Sequence, residues 1–320
     1  MSPTIRPTAD PTRVGKGPRP PLWRDLIPFG VLAFGLSWIP WTVLGVLHAD
    51  IDEGVGALVF AFAATGPSWA ALAMRIAGHR RPAEFRTRAS WAWPVAAIVL
   101  AGSPAVVGAI LEHVGDLEIL PRHAASTIAS VGGPLGALAY TFISGPLSEE
   151  FGWRGFMQPR LRRTLRPITT VTVIGAVWGT WHLPLFLLDG TGQHDDGLVS
   201  LAGLLFLLTL FPLSYLILFA SERLAGGVWA AILAHAAFNL SDALAPDPGK
   251  TALVTKTVAF LLLAGISRQL WRRAASDTGD TRSMGQLPLP GKVDLADDEE
   301  GAPLGVGASP SDRRAQRRKR

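Results

Sequence analysis

The chain has 320 residues, of which 48% are hydrophobic and 17% charged, with a formal net charge of +5 and no cysteine. A soluble domain carries roughly 25% charged residues, and here the charges collect in the ends and a few connections, so the composition excludes a large soluble core and indicates an integral membrane protein. Without cysteine there is no disulfide framework, thiolate metal site or cysteine nucleophile; the basic residues stand at the ends of apolar runs, where topology places them, so no nucleic acid is expected as a partner.

Residues 1–24 are rich in Pro and Arg with little apolar content, and are expected to form a disordered N-terminal tail. Apolar runs follow at about 26–47, 56–77, 92–112, 130–160, 168–188, 198–220, 226–243 and 251–271. Each is near or above the roughly 20 residues that a spanning helix needs, and the first is too long for the apolar part of a signal peptide. Segments in lipid must be helical to satisfy their backbone groups. The fold expected is therefore all-α: a polytopic membrane protein with about eight transmembrane helices over residues 25–272. Gly66-Pro67, Gly145-Pro146, Pro184 and Pro212 are expected to mark kinks in these spans. Residues 273–320, with the acidic DLADDEEG and the basic RRAQRRKR, read as a second disordered tail.

Orientation follows from the positive charges. Arg6, Arg13, Lys16, Arg19 and Arg24 precede the first run, and Arg75, Arg80, Arg81, Arg86 and Arg88 fill the second connection. Arg160, Arg162, Arg163 and Arg166 lie in the fourth connection and Arg223 in the sixth. The alternate connections are poor: HADIDEG and DGTGQHDDG hold no Lys or Arg, and the other two hold only Arg122 and Lys250. This separation predicts a multi-pass protein of the cell membrane with both termini in the cytoplasm.

Against that background the stretch SGPLSEEFGWRGF stands out, because Glu149, Glu150 and Arg154 lie inside an apolar run. Glu149 precedes Arg163 by 14 residues, about 21 Å of helix, and His182 follows Ile168 by 14, again about 21 Å. His235 lies twelve residues past Arg223, about 18 Å along a helix entering from the same side. Three ionisable groups from three helices thus converge on one layer of the hydrocarbon. Glu150 and Arg154 are four apart and share a face, as do His235 and Asn239, whereas Glu149 is turned about 100° from Glu150. Trp178 and Trp181 lie near His182, where they could restrict water. Taken singly, a buried Glu–Arg pair is also a structural clamp and an intramembrane His is also a packing residue. His48 and His194 read as loop residues, and Ser144 and Ser214 are expected to bond back to their own helix backbone. Together, several costly polar groups at one depth indicate a functional site.

The chemistry such a set allows is acyl hydrolysis without a covalent intermediate. A carboxylate, Glu149, can act as general base on a water that His182 helps to orient. His235 and Asn239 can donate to the oxyanion of a tetrahedral intermediate. Glu150 and Arg154 would support this set by holding Glu149 in place. Two other readings stay open: a zinc peptidase with Glu149, His182 and His235 as ligands, although no HExxH helix is present, and a non-catalytic membrane scaffold, immunity protein or proton-coupled transporter. No paired broken helices in matching halves speak for the transporter.

At these residues the sequence resembles the CPBP intramembrane glutamic endopeptidases, which include the type II CAAX prenyl endopeptidases and the bacterial Abi proteins. The family's paired glutamates followed by arginine match Glu149, Glu150 and Arg154. Its aromatic residue and histidine match Trp178 and His182, though phenylalanine is common at the aromatic position, and its histidine and asparagine match His235 and Asn239. The resemblance covers about 130–245. It implies an eight-helix, metal-independent peptidase core without a cofactor. In it Glu149 would be the water-activating base, His182 its partner, and His235 with Asn239 the oxyanion stabilisers, acting on a peptide or protein substrate at the lipid bilayer.

Overall fold

In the computed structural model residues 21–79 and 91–277 are described, and every regular element among them is a helix. All of them fall within the first of two units, Met1–Leu287. Of the expected tails, residues 1–20 and 278–320 lie outside the described residues, as do Arg80, Arg81, Arg86 and Arg88. The first expected span is α1 (Trp23–Val46), and the second is a bent pair, α2 (Gly54–Ala64) and α3 (Gly66–Ile76), meeting at 53°. The third is α4 (Trp93–Glu112). The connection after it holds a helix that composition did not reveal, α5 (Ile119–Ser130), set at 80° to the helical stretch that follows. Gly132 and Gly133, with φ of 87° and 82°, make that corner, a backbone geometry that glycine adopts at no steric cost.

The fourth span is segmented into α6 (Gly133–Ile143), α7 (Pro146–Gly152), a π-helical turn (Trp153–Met157) and α8 (Gln158–Leu161). It is followed by α9 (Pro167–His182), which tightens into a 3-10 turn at Leu183–Leu187. A short helix, α10 (Gly192–Asp196), leads to α11 (Leu201–Leu218), which ends in a second π-helical turn (Phe219–Arg223). The last two are α12 (Gly227–Ala243) and α13 (Lys250–Asp277), the latter running beyond the expected boundary at 272. By length and composition five helices could cross a membrane, or seven with both bent pairs, among the described residues. The seventh expected span is α12, which is a helix of only 17 residues. It starts abruptly after Ala225 and at Gly227, with φ of 59° and 60°, and many of its residues are buried by neighbouring helices, so lipid thickness does not set its length.

The kinks have local causes. Pro67 offers no N–H to the Ala63 carbonyl four residues back, and Ser37 Oγ on α1 donates to that carbonyl at 2.7 Å instead. A Cβ on Gly66 would press into Ser37 and stand 2.9 Å from the Ala33 carbonyl, so the close approach of α1 requires glycine there. Gly145-Pro146 separates α6 from α7 in the same manner, and Ser148 Oγ donates to the Ile143 carbonyl at 2.6 Å. Pro184 falls in the 3-10 turn, while Pro212 lies within α11 without breaking it.

The interior is packed with aromatic rings, among them Phe29, Trp41, Trp153, Phe156, Trp178 and Trp181, each almost wholly buried. The outer faces carry exposed Val31, Ile39, Leu58, Ile98, Leu135 and Leu262. So much apolar surface turned outward is costly in water and suits lipid; the chain is an all-α polytopic membrane protein. The two ends of the bundle differ. At one, Asp25 near the start of α1 receives Arg160 Nε and His79 Nδ1, both at 2.7 Å, and Glu222 receives Arg162 Nε at 2.8 Å. At the other, beyond the far end of α1, Asp189 lies 3.1 Å from His194 Nε2 and 3.7 Å from His48 Nδ1, and Glu112 accepts from the Ala252 amide at 2.7 Å. His48 is an exposed loop residue, as expected, whereas His194, also exposed, lies on the short helix α10.

Candidate active site

The break at Gly145 starts α7 afresh, and the Glu149 amide donates to the Gly145 carbonyl at 2.8 Å. That first turn carries both glutamates inward, where they are buried. Glu149 Oε2 accepts from two indoles, Trp178 Nε1 at 2.5 Å and Trp153 Nε1 at 3.2 Å. One oxygen is thus tied down and Oε1 is left to face the cavity side, beside Gly145. Glu150 Oε1 accepts from Arg154 Nη1 at 2.8 Å and from His235 Nδ1 at 2.9 Å. The expected Glu150–Arg154 pair therefore forms, but its carboxylate holds His235, whereas Glu149 is held by tryptophans. Arg154 also donates from Nη2 to Ser214 Oγ at 3.1 Å and lies 4.3 Å from the centre of the Trp178 ring, a cation–π contact. Ser214 thereby accepts from Arg154 across the helix interface.

His182, at the end of α9, is within hydrogen-bond distance of the Trp178 carbonyl through Nδ1, at 2.8 Å. A carbonyl only accepts, so Nδ1 carries the proton and Nε2 presents a lone pair. Trp181 and Phe206 stand edge-on to the His182 ring at 4.9 and 5.2 Å between centres, and the Trp178 ring is tilted to it at 5.8 Å.

The four candidate residues Glu149, His182, His235 and Asn239 all line one cavity of about 910 Å³. Their convergence is sharpest around Gly145. A methyl placed on its Cα would stand 3.1 Å from Asn239 Nδ2, 3.3 Å from Glu149 Oε1 and 3.4 Å from His235 Nε2. A carboxylate oxygen, an amide nitrogen and an imidazole nitrogen thus border a single space the size of a small carbonyl group. Two contributors escaped sequence reasoning. Trp153 follows Glu149 by four residues, the spacing that puts it on the same face, so it was readable; Gly145 needed the tertiary arrangement. Among the described residues no group of three or more His, Asp or Glu is disposed to hold a metal ion.

Comparison with known proteins points to the same region. Residues 131–241 match the family described as Rce1-like, Type II CAAX prenyl endopeptidase Rce1-like. Over 119 residues the chain is 28% identical to CAAX prenyl protease 2 of Methanococcus maripaludis, a match covering 37% of this chain and 44% of that protein. The chain therefore aligns with less than half the length of this curated relative. The matched segment carries both glutamates, Arg154, Trp178, both cavity histidines and Asn239, so the core at 131–241 is similar to the Rce1-like type II CAAX prenyl endopeptidases, and the similarity supports kinship with that family.

Proposed function

We propose that the chain is an intramembrane endopeptidase of the glutamic type, independent of metal, that hydrolyses a peptide bond in a membrane-associated peptide or protein. Glu149 Oε1 and the His182 Nε2 lone pair together accept the two hydrogens of one water. Glu149 takes a proton from it, the water oxygen bonds to the carbonyl carbon, and the carbonyl electron pair moves onto its oxygen. Asn239 Nδ2 and His235 Nε2 donate to that oxyanion. Collapse breaks the C–N bond, and the departing amine takes the proton held by Glu149.

The charge inventory supports this assignment. His235 gives its Nδ1 hydrogen to the Glu150 carboxylate, so it donates from Nε2 only as the imidazolium. Two carboxylates, one guanidinium and one imidazolium then balance within the buried cluster, which is the condition for keeping charges in such a place. The observation that carries the proposal is the meeting of Glu149 Oε1, His235 Nε2 and Asn239 Nδ2 around Gly145. The basic connections favour a cell-membrane protein with both termini in the cytoplasm.

The test uses the full chain in detergent micelles with a farnesylated CAAX peptide as probe, chosen because the relative from Methanococcus maripaludis is named a CAAX prenyl protease. Comparative proteomics of membranes carrying wild type or Glu149→Gln extends it to other substrates. Glu149→Gln should abolish cleavage with the unfolding temperature retained, and chelator should leave wild type active. Full activity in Glu149→Gln overturns the proposal, and stoichiometric zinc with activity lost to chelator and restored by zinc replaces it with a metal mechanism.

A further inference from the structure

Between α3 and the α6–α7 stretch a furrow of about 440 Å³ runs along the outside of the bundle. Thr65, Trp69, Leu72 and Arg75 form one wall at intervals of four, three and three residues, a single helical face. Leu147 and Phe151 stand on the other wall, and Ser68 Oγ donates to the Leu147 carbonyl at 3.2 Å, joining the two. Trp69 and Leu72 are 48% and 44% exposed, so the furrow is open sideways to lipid. The hydroxyls along it, on Thr65, Ser68 and Ser148, each donate to a backbone carbonyl. The lining is therefore apolar except for one charge, that of Arg75.

Arg75 stands in the last turn of α3 and is exposed. Its Nη2 rests against the π-helical turn, 3.9 Å from where a Cβ on Gly155 would lie. Among the described residues no carboxylate pairs with it. Asp25, at the same end of the bundle, is already shared by Arg160 and His79, and Arg160 and Arg75 repel each other. The guanidinium of Arg75 is thus a positive charge without a counter-charge. Arg75 is ten residues from Thr65, about 15 Å of helix, which is half of a hydrocarbon core about 30 Å thick. The neighbouring α1 gives a similar measure: Ser37, bonded to the Ala63 carbonyl, follows Asp25 by twelve residues, about 18 Å. The furrow therefore has the depth of one leaflet, with its charge at the headgroup level.

We propose that this furrow binds an anionic phospholipid of the leaflet at the basic end of the bundle. Its phosphate pairs with Arg75, and one acyl chain lies along Leu72 and Trp69 to Thr65. A small anion would leave the apolar wall uncovered, and a zwitterionic lipid would bring its own cation beside the guanidinium, so an anionic amphiphile fits both parts of the site. The furrow shares Thr65, Trp69, Ile143 and Ser148 with the cavity that holds Glu149. The end of the acyl chain then forms part of that cavity's wall. The lipid site itself does not depend on what Glu149 does.

The native chain lacks cysteine, which makes the test direct. A Leu72→Cys variant of the full chain carries a bimane fluorophore in the furrow. A Val31→Cys variant carries it on the exposed face of α1, where it reports ordinary contact with lipid. Each labelled protein in nonionic micelles is titrated with phosphatidylglycerol or phosphatidylcholine bearing the same brominated, quenching acyl chains. At Leu72 half-quenching should need about fivefold less phosphatidylglycerol than phosphatidylcholine, the effect of one basic residue on anionic lipid, and Val31 should show little preference. Adding Arg75→Gln should bring Leu72 to the level of Val31 with the unfolding temperature retained. Equal quenching by the two lipids at Leu72, the same preference at Val31, or a preference that survives Arg75→Gln overturns the proposal. Quenching is read without cleavage, so this outcome is separate from that of the Glu149→Gln test.

Discussion

The sharpest test of the site is the addition of one methyl group at Gly145. The new carbon would stand 3.1 to 3.4 Å from Asn239 Nδ2, Glu149 Oε1 and His235 Nε2, tighter than ordinary van der Waals contact with each. Two of the three cannot retreat freely, because Glu149 is tied to two indoles and His235 to Glu150. Gly145→Ala therefore fills the space for the scissile carbonyl and moves the reacting groups by a few tenths of an ångström. A full 1 Å misplacement costs about 100-fold in rate, or about 2.7 kcal/mol of barrier, so the displacement alone costs less than this and the filled carbonyl space adds to the loss. Mild overpacking costs the fold about 1–3 kcal/mol, a fall of several degrees in unfolding temperature. The assay is cleavage of the farnesylated peptide in micelles, with thermal unfolding of the same preparation. Activity within threefold of wild type in a folded Gly145→Ala protein would refute the placement of the substrate carbonyl.

Two further substitutions separate the roles of the paired glutamates. Glu150→Gln strips the counter-charge from Arg154 and His235, and breaking a buried pair from one side costs about 3–5 kcal/mol; the unfolding temperature should drop by roughly 10 °C and cleavage by about 100-fold through loss of an oxyanion donor, and a variant unchanged in both would show that His235 needs no carboxylate. Trp178→Phe keeps the ring but removes the 2.5 Å donor to Glu149. It should lower kcat about tenfold with KM unchanged, and the indole proton of Trp178 in wild type should shift in the NMR spectrum on Glu149→Gln; an unmoved resonance would mean that no such bond exists.

The all-α membrane architecture was legible because lipid allows few alternatives and long apolar runs announce themselves. Seven of the eight expected spans are found as helices or bent helix pairs and the one at 226–243 as the shorter α12, and the breaks at Gly66-Pro67 and Gly145-Pro146 fall where the dipeptides stood. The Glu150–Arg154 contact followed from four-residue spacing, which backbone geometry fixes. The His235–Glu150 bond did not, because 85 residues separate the partners and depth alone cannot tell which of two adjacent carboxylates turns toward a given helix. The same limit hid the Arg154–Ser214 bond and the hydroxyl from Ser37 that satisfies the broken second span. Helix α5 was missed for a different reason: Arg122 and His123 interrupt its apolar pattern, and its corner depends on two glycines in left-handed backbone.

The Glu150 carboxylate ties three helical segments to one another: it accepts from Arg154 in its own span and from His235 on α12, and Arg154 reaches Ser214 on α11. Releasing any one of these segments would strand a charge away from water, at a cost of several kcal/mol. The three should therefore loosen together, and amide exchange in this layer should follow a single cooperative opening and not three separate ones.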